Sequence, residues 1–211
     1  MAEIRVNPTR MELKKLKARL TTARRGHKLL KDKCDELMKQ FLDIVRADKA
    51  LREKTEGKIM EVHRSFTVAS AVSSPEMLAE AMMLPRKEGG VSVGYRNIMS
   101  VVVPKFSFDF GNDLSDFYNY GYAFTSGELD EAMGGMAELI PDLLSLAETE
   151  KAAQMLADEI EKTRRRVNAL EYIMIPDLER AIKSITMKLD ENERGNTTRL
   201  MKVKEMVLNQ R

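Results

Sequence analysis

Side chains able to do covalent or metal chemistry are few and scattered. The 211 residues hold two histidines and one cysteine. His27, Cys34 and His63 have neither the spacing of a metal site nor the partners of a catalytic triad. His27 and Cys34 fall on an apolar stripe, where a histidine packs and a cysteine acts as a small hydrophobe. Gly89, Gly90 and Gly94 lack the following lysine and the strand-to-helix context of a phosphate loop, so they read as turn glycines. The Glu-x-x-His pairs that build metal sites in helical bundles are absent. No catalytic, cofactor-binding or metal-binding residue is assigned, and the chain does not read as an enzyme acting alone.

What remains is charge, and it is sorted along the chain. Residues 106 to 150 contain no Lys or Arg but many acids, among them Asp109, Asp113, Asp116, Glu128, Asp130, Glu131, Glu138 and Asp142. Both chain ends are basic, through Arg10, Lys14, Lys17, Arg24 and Arg25 at one and Arg199, Lys202 and Lys204 at the other. A charge run is ordinarily a solvated helix face. Segregation over the whole chain favours two unlike ends that meet different partners.

Two long apolar stripes must carry those charges. Leu13, Leu16, Leu20, Ala23, His27, Leu30, Cys34, Leu37, Phe41 and Ile44 step alternately by three and four, as a heptad seam does. Past Ile44, Asp48 and Lys58 fall on seam positions, and the stripe shifts toward Ala47, Leu51, Thr55, Ile59 and Val62. A second stripe runs through Val167, Leu170, Met174, Leu178, Ala181, Ile185, Leu189, Asn192, Asn196, Leu200, Val203 and Val207 in steps of three, four and four. That period holds one face of a nearly straight helix. Each stripe needs a partner of equal length. The fold class is therefore mainly α: a long antiparallel two-helix coiled coil, a rod of about 90 Å at about 1.5 Å per residue. Gly195 is then expected at the level of Gly26.

Three segments follow: an N-terminal coiled-coil helix over 1–64, a central segment over 65–141, and a C-terminal coiled-coil helix over 142–211. Asn7, or Thr9 with Glu12, caps the first helix. Gly26 either marks a close approach or is simply tolerated. Residues 65–74 read as a linker or a fraying extension. Ser74-Pro75-Glu76 opens a short helix that ends near Leu84. Two β-rich runs around Tyr95-Arg96-Asn97 read as a hairpin that must dock on something larger. Aromatics cluster from Phe106 to Phe124, as a local mini-core or as a protein-docking surface. Gly134-Gly135 and Pro141 are expected to break the pattern before the last helix, and Pro176 to kink or loosen it.

Composition agrees with this frame. Aromatics are 6% of the chain, Trp is absent and Met numbers 15, which suits helix packing rather than a large globular core. Net charge is +2. A single cysteine fits a reducing compartment. Neither a signal peptide nor a run of about 18 apolar residues is visible, so a cytoplasmic setting without membrane insertion is expected.

The run Asn7-Pro8-Thr9-Arg10, the segment 13–20 and Arg25-Gly26-His27-Lys28-Leu29-Leu30-Lys31-Asp32-Lys33 resemble the D subunit of V-type and A-type rotary ATPases. So do Arg165-Arg166-Val167-Asn168-Ala169-Leu170-Glu171, Ile175-Pro176 and Arg199-Leu200-Met201-Lys202-Val203-Lys204. The match covers both long helices and carries no motif in the centre. The resemblance implies a non-catalytic central-stalk rotor, of a prokaryotic V-type enzyme, coupling ATP hydrolysis or synthesis to ion transport. It implies no cofactor. It places the basic tip against head subunits A and B. The base would meet a small companion stalk protein, the F subunit, and a funnel-shaped subunit (named d or C) above the membrane ring, all on the cytoplasmic side. The alternative is an adaptor or nucleic-acid-binding coiled coil using the basic tip, which the acidic, aromatic middle and the lack of a readout module disfavour.

Overall fold

The computed structural model describes residues 7–83, 89–109, 118, 120–121 and 125–209. Helix α1 spans Arg10–Val72, helix α2 Pro75–Ala81, strand β1 Gly90–Ile98, strand β2 Val101–Asp109, and helix α3 Gly127–Ala169. A π-helical turn, Leu170–Met174, joins α3 to helix α4, Ile175–Asn209. The chain divides into two compact units. Met1–Glu36 with Ile160–Arg211 make the first, and Leu37–Glu159 the second.

In the first unit, the start of α1 packs antiparallel on the end of α3 and on α4. Leu16, Ala23, Leu178 and Ile185 form its core, flanked by Leu13, Leu20, Ile175, Ala181, Ile182 and Leu189. Thr9 caps α1: its hydroxyl accepts from Glu12 N–H at 3.3 Å. The Glu12 carboxylate pairs with Lys15 at 2.8 Å, and Thr9 N–H is taken by the Asn7 carbonyl. Leu30 of the N-terminal stripe is half-buried. The C-terminal stripe is buried at Val167 and Leu178, half-buried at Leu170 and Leu189, and exposed at Met174. From Asn192 onward it is exposed throughout, with Leu200 at 70% and Val203 at 52%. The reason is where α1 begins. Arg10, the first helical residue of α1, pairs with Glu193. Leu200 and Val203 lie beyond it and have no opposing helix among the described residues. The same pairing corrects the expected level of Gly195. Arg24 binds Glu179 and His27 approaches Glu171, so Gly26 faces the 171–179 region instead.

In the second unit, α1 continues past the expected boundary at 64. The small, β-branched stretch stays helical because Ala69 is fully buried against Leu78 and Leu129, with Phe66, Ala81, Tyr120 and Met133 around them. Helix α2 starts where expected, with the Ser74 hydroxyl accepting from Met77 N–H and Pro75 in the first turn, and it ends at Ala81. Helix α3 begins at Gly127, not 142, and runs through Gly134, Gly135 and Pro141 without a break. Gly135 explains part of that: a Cβ built there would lie 2.9 Å from Val62 Cγ2. The glycine is a close helix–helix approach rather than a breaker. At Gly26, by contrast, an added Cβ would meet nothing within 4 Å.

The hairpin is present, but its turn lies further along. Ile98 pairs with Val101, and Met99 and Ser100 form the two-residue turn at φ 48° and 74°. Asn97 Oδ1 accepts from Ser100 N–H at 2.9 Å and supports it. Val101 and Val103 are buried on one face. Phe106 N–H donates to Glu148 Oε2 at 3.1 Å, which ties β2 to α3.

Candidate functional site

A rotor or scaffold acts through surfaces, so the candidate site is built from the helix pair and its unpaired continuation. The basic residues expected at the tip are each exposed: Arg10, Lys14, Lys17, Arg24, Arg25, Arg199, Lys202 and Lys204. Antiparallel packing brings the α1 set beside the acids of α4. Arg10 is engaged by Glu193, and Arg24 by Glu179 at 2.6 Å. Exposed pairs of this kind contribute about 0–1 kcal/mol and screen with salt, so their role is local charge balance. Arg199, Lys202 and Lys204 stand past the start of α1. There they alternate with exposed Leu200, Met201, Val203, Met206, Val207 and Leu208. The spacing of Leu200 and Val203 continues the seam, yet the structure removes them from it. The missing signal is where the opposing helix begins, which the Arg10–Glu193 pair supplies.

The seam of the second unit carries polar groups, and each of the following is satisfied. Thr55, 1% exposed, donates to the backbone carbonyls of its own helix at Leu51 and Arg52. Asp48, which blurs the heptad, accepts from Thr149 Oγ1 at 2.9 Å. Lys58 binds Asp142 at 2.6 Å, with Lys54 at 3.4 Å on the same carboxylate. The hydrogen bond from Lys58, helped by Lys54, holds the Asp142 carboxyl below the usual carboxylate range. The same bond raises the Lys58 ammonium. Such polar layers fix register in a coiled coil.

Cys34 is half-exposed rather than fully buried. His27 is partly buried, with Nε2 3.3 Å from Glu171. Of the aromatic cluster, Phe106 and Phe108 belong to β2. Tyr120 joins the mini-core and donates to Asp130 at 2.7 Å. Phe110, Phe117, Tyr122 and Phe124 lie outside the described residues. Val91, Val93, Tyr95 and Val102 stay exposed on one hairpin face. Among the described residues, no group of three or more His, Cys, Asp or Glu side chains could hold a metal ion. Nor is any helix among them long and apolar enough to cross a membrane.

The sequence profile of the ATP synthase D subunit matches residues 12–205. This chain belongs to the ATP synthase D subunit family. The match takes in both units, so the family relation covers α1, the hairpin and α4 alike. The V-type ATP synthase D subunit of Acetivibrio thermocellus is 61% identical over 211 residues, covering 100% of this chain and 95% of the relative. That of Clostridioides difficile is 60% identical over 208 residues, covering 99% and 94%. That of a Thermoanaerobacter species is 55% identical over 208 residues, covering 99% of each chain. For a member of this family, the exposed end of α4 and the open hairpin face are the surfaces left to explain.

Proposed function

We propose that this chain is the central-stalk subunit of a V-type ATPase, a rotor that couples ATP turnover in the head to ion movement in the membrane ring. The observation that carries the reading is the end of α4. It is helical to Asn209, without an opposing helix among the described residues, apolar on several sides and studded with cations. A free chain exposing so many large apolar side chains on one helix end is built to be covered. Head subunits A and B are the partners proposed for this end and for the adjoining helix pair, along which Arg10, Lys14, Lys17, Arg24 and Arg25 follow. The hairpin unit is proposed to meet the small companion F subunit and the funnel-shaped subunit (named d or C). The complex would sit peripherally on the cytoplasmic side of the membrane.

Mechanistically, the chain contributes contacts rather than catalysis. Its end presents different side chains in different directions, so each site around it meets a different surface. Differential contact free energy is what shifts a site between conformations. Rotation of the helix pair would carry that bias from site to site.

The test is a reversible tether in the intact complex. A cysteine at Lys17 or Arg199, in a Cys34→Ser background, is oxidatively linked to a cysteine in the head. Turnover should fall sharply and return on reduction. A link between α1 and α4 of this chain should leave turnover largely intact. An efficient rotor-to-head link with unchanged hydrolysis and pumping would exclude rotation. The exposed cations give a nucleic-acid-binding coiled coil its only support. Salt-sensitive gel shifts at physiological ionic strength, with no head subunits recovered on native purification, would favour that reading.

A further inference from the structure

The helix pair of the first unit is weakened at a single level, on both of its helices at once. On the C-terminal side, Pro176 has no N–H to give the Tyr172 carbonyl, and its ring crowds that turn. The chain answers with a π-helical turn over Leu170–Met174, closed by Ile175 N–H donating to the Leu170 carbonyl. No residue of that turn is buried, and Tyr172 is 71% exposed. On the N-terminal side, the residue facing this region is Gly26. It and Leu170, Ile173, Met174, Asp177 and Leu178 border one open groove of about 830 Å³.

Nothing in the packing requires a glycine there, since a Cβ would meet no atom within 4 Å. The seam also thins at this level. Along α3 and α4 no side chain is buried between Val167 and Leu178, and along α1 none between Ala23 and Leu37. Two helix-weakening residues, a π turn and an interrupted seam thus coincide.

We infer that this level is a bending and twisting joint built into the helix pair. A proline alone kinks one helix while its neighbour resists. With Gly26 opposite, both helices yield together, so motion at the joint need not open the seam on either side. Above it, Leu16, Ala23, Leu178 and Ile185 hold the pair. Below it, Thr163 and Val167 are buried again. Arg24–Glu179 and His27–Glu171 flank the joint and are exposed or polar contacts that can re-form after a small rotation. The joint is a property of the chain itself. Its use, letting the end of α4 twist against the rest of a loaded shaft, rests on the rotor reading above.

Two measurements on the isolated full-length chain test it, so its failure is distinct from failure of the rotor reading. By hydrogen exchange, amides of 170–175 and 26–30 should be at least about tenfold less protected than those of 161–167 and 181–188. The double variant Gly26→Ala/Pro176→Ala favours helix at both positions and should fold. It should restore protection at 170–176 toward that of the flanks. Spin labels at exposed Arg164 and Lys188, in a Cys34→Ser background, should give a broad distance distribution that narrows in the double variant. Equal protection across the region in the natural sequence would overturn the joint. So would low protection and a broad distribution that persist unchanged in the double variant.

Discussion

Gly26→Ala and Gly135→Ala make the same chemical change in a helix interior, yet they should move stability in opposite directions. Both replace a helical glycine, which gains about 0.5–1 kcal/mol from backbone entropy and propensity. At Gly26 nothing opposes that gain, because no atom lies within 4 Å of the new methyl. At Gly135 the methyl would sit 2.9 Å from Val62 Cγ2. Valine in a helix has one strongly preferred rotamer, so Val62 cannot simply swing away. Overpacking of this kind costs about 1–3 kcal/mol, which outweighs the propensity gain. The two variants should therefore differ by about 1–3 kcal/mol, or a few degrees in Tm for a chain of this size. Urea denaturation followed by circular dichroism and by a second probe reports the difference, with coincident transitions licensing a two-state reading. Adding Val62→Ala should convert the Gly135→Ala penalty toward a gain, a coupling that a double-mutant cycle isolates. Equal stabilisation by both alanines would refute the close approach. Destabilisation by Gly26→Ala would refute the open level in the first unit.

Leu178→Asp puts a charge into the first core and should cost about 3–5 kcal/mol, whereas Leu200→Asp, at an exposed position, should cost under about 0.5 kcal/mol in the isolated chain. Denaturation midpoints check the first half, and co-purification with head subunits, which Leu200→Asp should weaken, checks the second. Replacing Met99-Ser100 by Asn-Gly should raise hydrogen-exchange protection of β1 and β2, since both turn positions have positive φ and those residues suit it best. The Lys58–Asp142 contribution should hold across neutral pH. Because the Asp142 pKa is depressed, that contribution is present above the ordinary carboxylate value of 3.8 and fades as pH falls through the lower folded value. Because the Lys58 pKa is raised, it is likewise fully present below 10.5 and lost as pH climbs through the higher folded value. Asp142→Asn should flatten the acid limb in pH-dependent melts.

The periodic parts of this fold are legible in the sequence because burial repeats with the helix. Leu16, Leu37, Val167, Leu178 and Ile185 are buried where the stripes put them. Periodicity says nothing of where a partner ends, which is why Leu200 and Val203 read as seam. Local chemistry misleads in two places. Gly134, Gly135 and Pro141 look like breakers, yet α3 runs through all three, and at Gly135 the glycine serves a close approach to Val62. Met99-Ser100 lacks the usual turn residues, so the sequence points to a turn nearer Asn97, whose side chain instead braces the real one. Pro176 is a weak point on both readings. Its coincidence with Gly26 depends on register between distant segments, which no local pattern encodes. The basic positions of the tip are visible in the sequence, but not the pairing of Arg24 with Glu179 and of Arg10 with Glu193.

The nesting of the two units has a consequence for biosynthesis. Leu37–Glu159 is continuous in sequence, whereas the first unit draws on both sides of it. A ribosome therefore completes the inner unit while the first turns of α1 still lack their counterpart. At about 5–20 residues per second, the remaining residues take several seconds to emerge. During that interval Leu16, Leu20 and Ala23 stand bare on a half-paired helix. The first unit closes last, so errors late in translation should leave a chain with an intact hairpin unit and an unpaired start of α1. Quality control that senses exposed leucine stripes would meet such chains at the face of α1 that α4 otherwise covers.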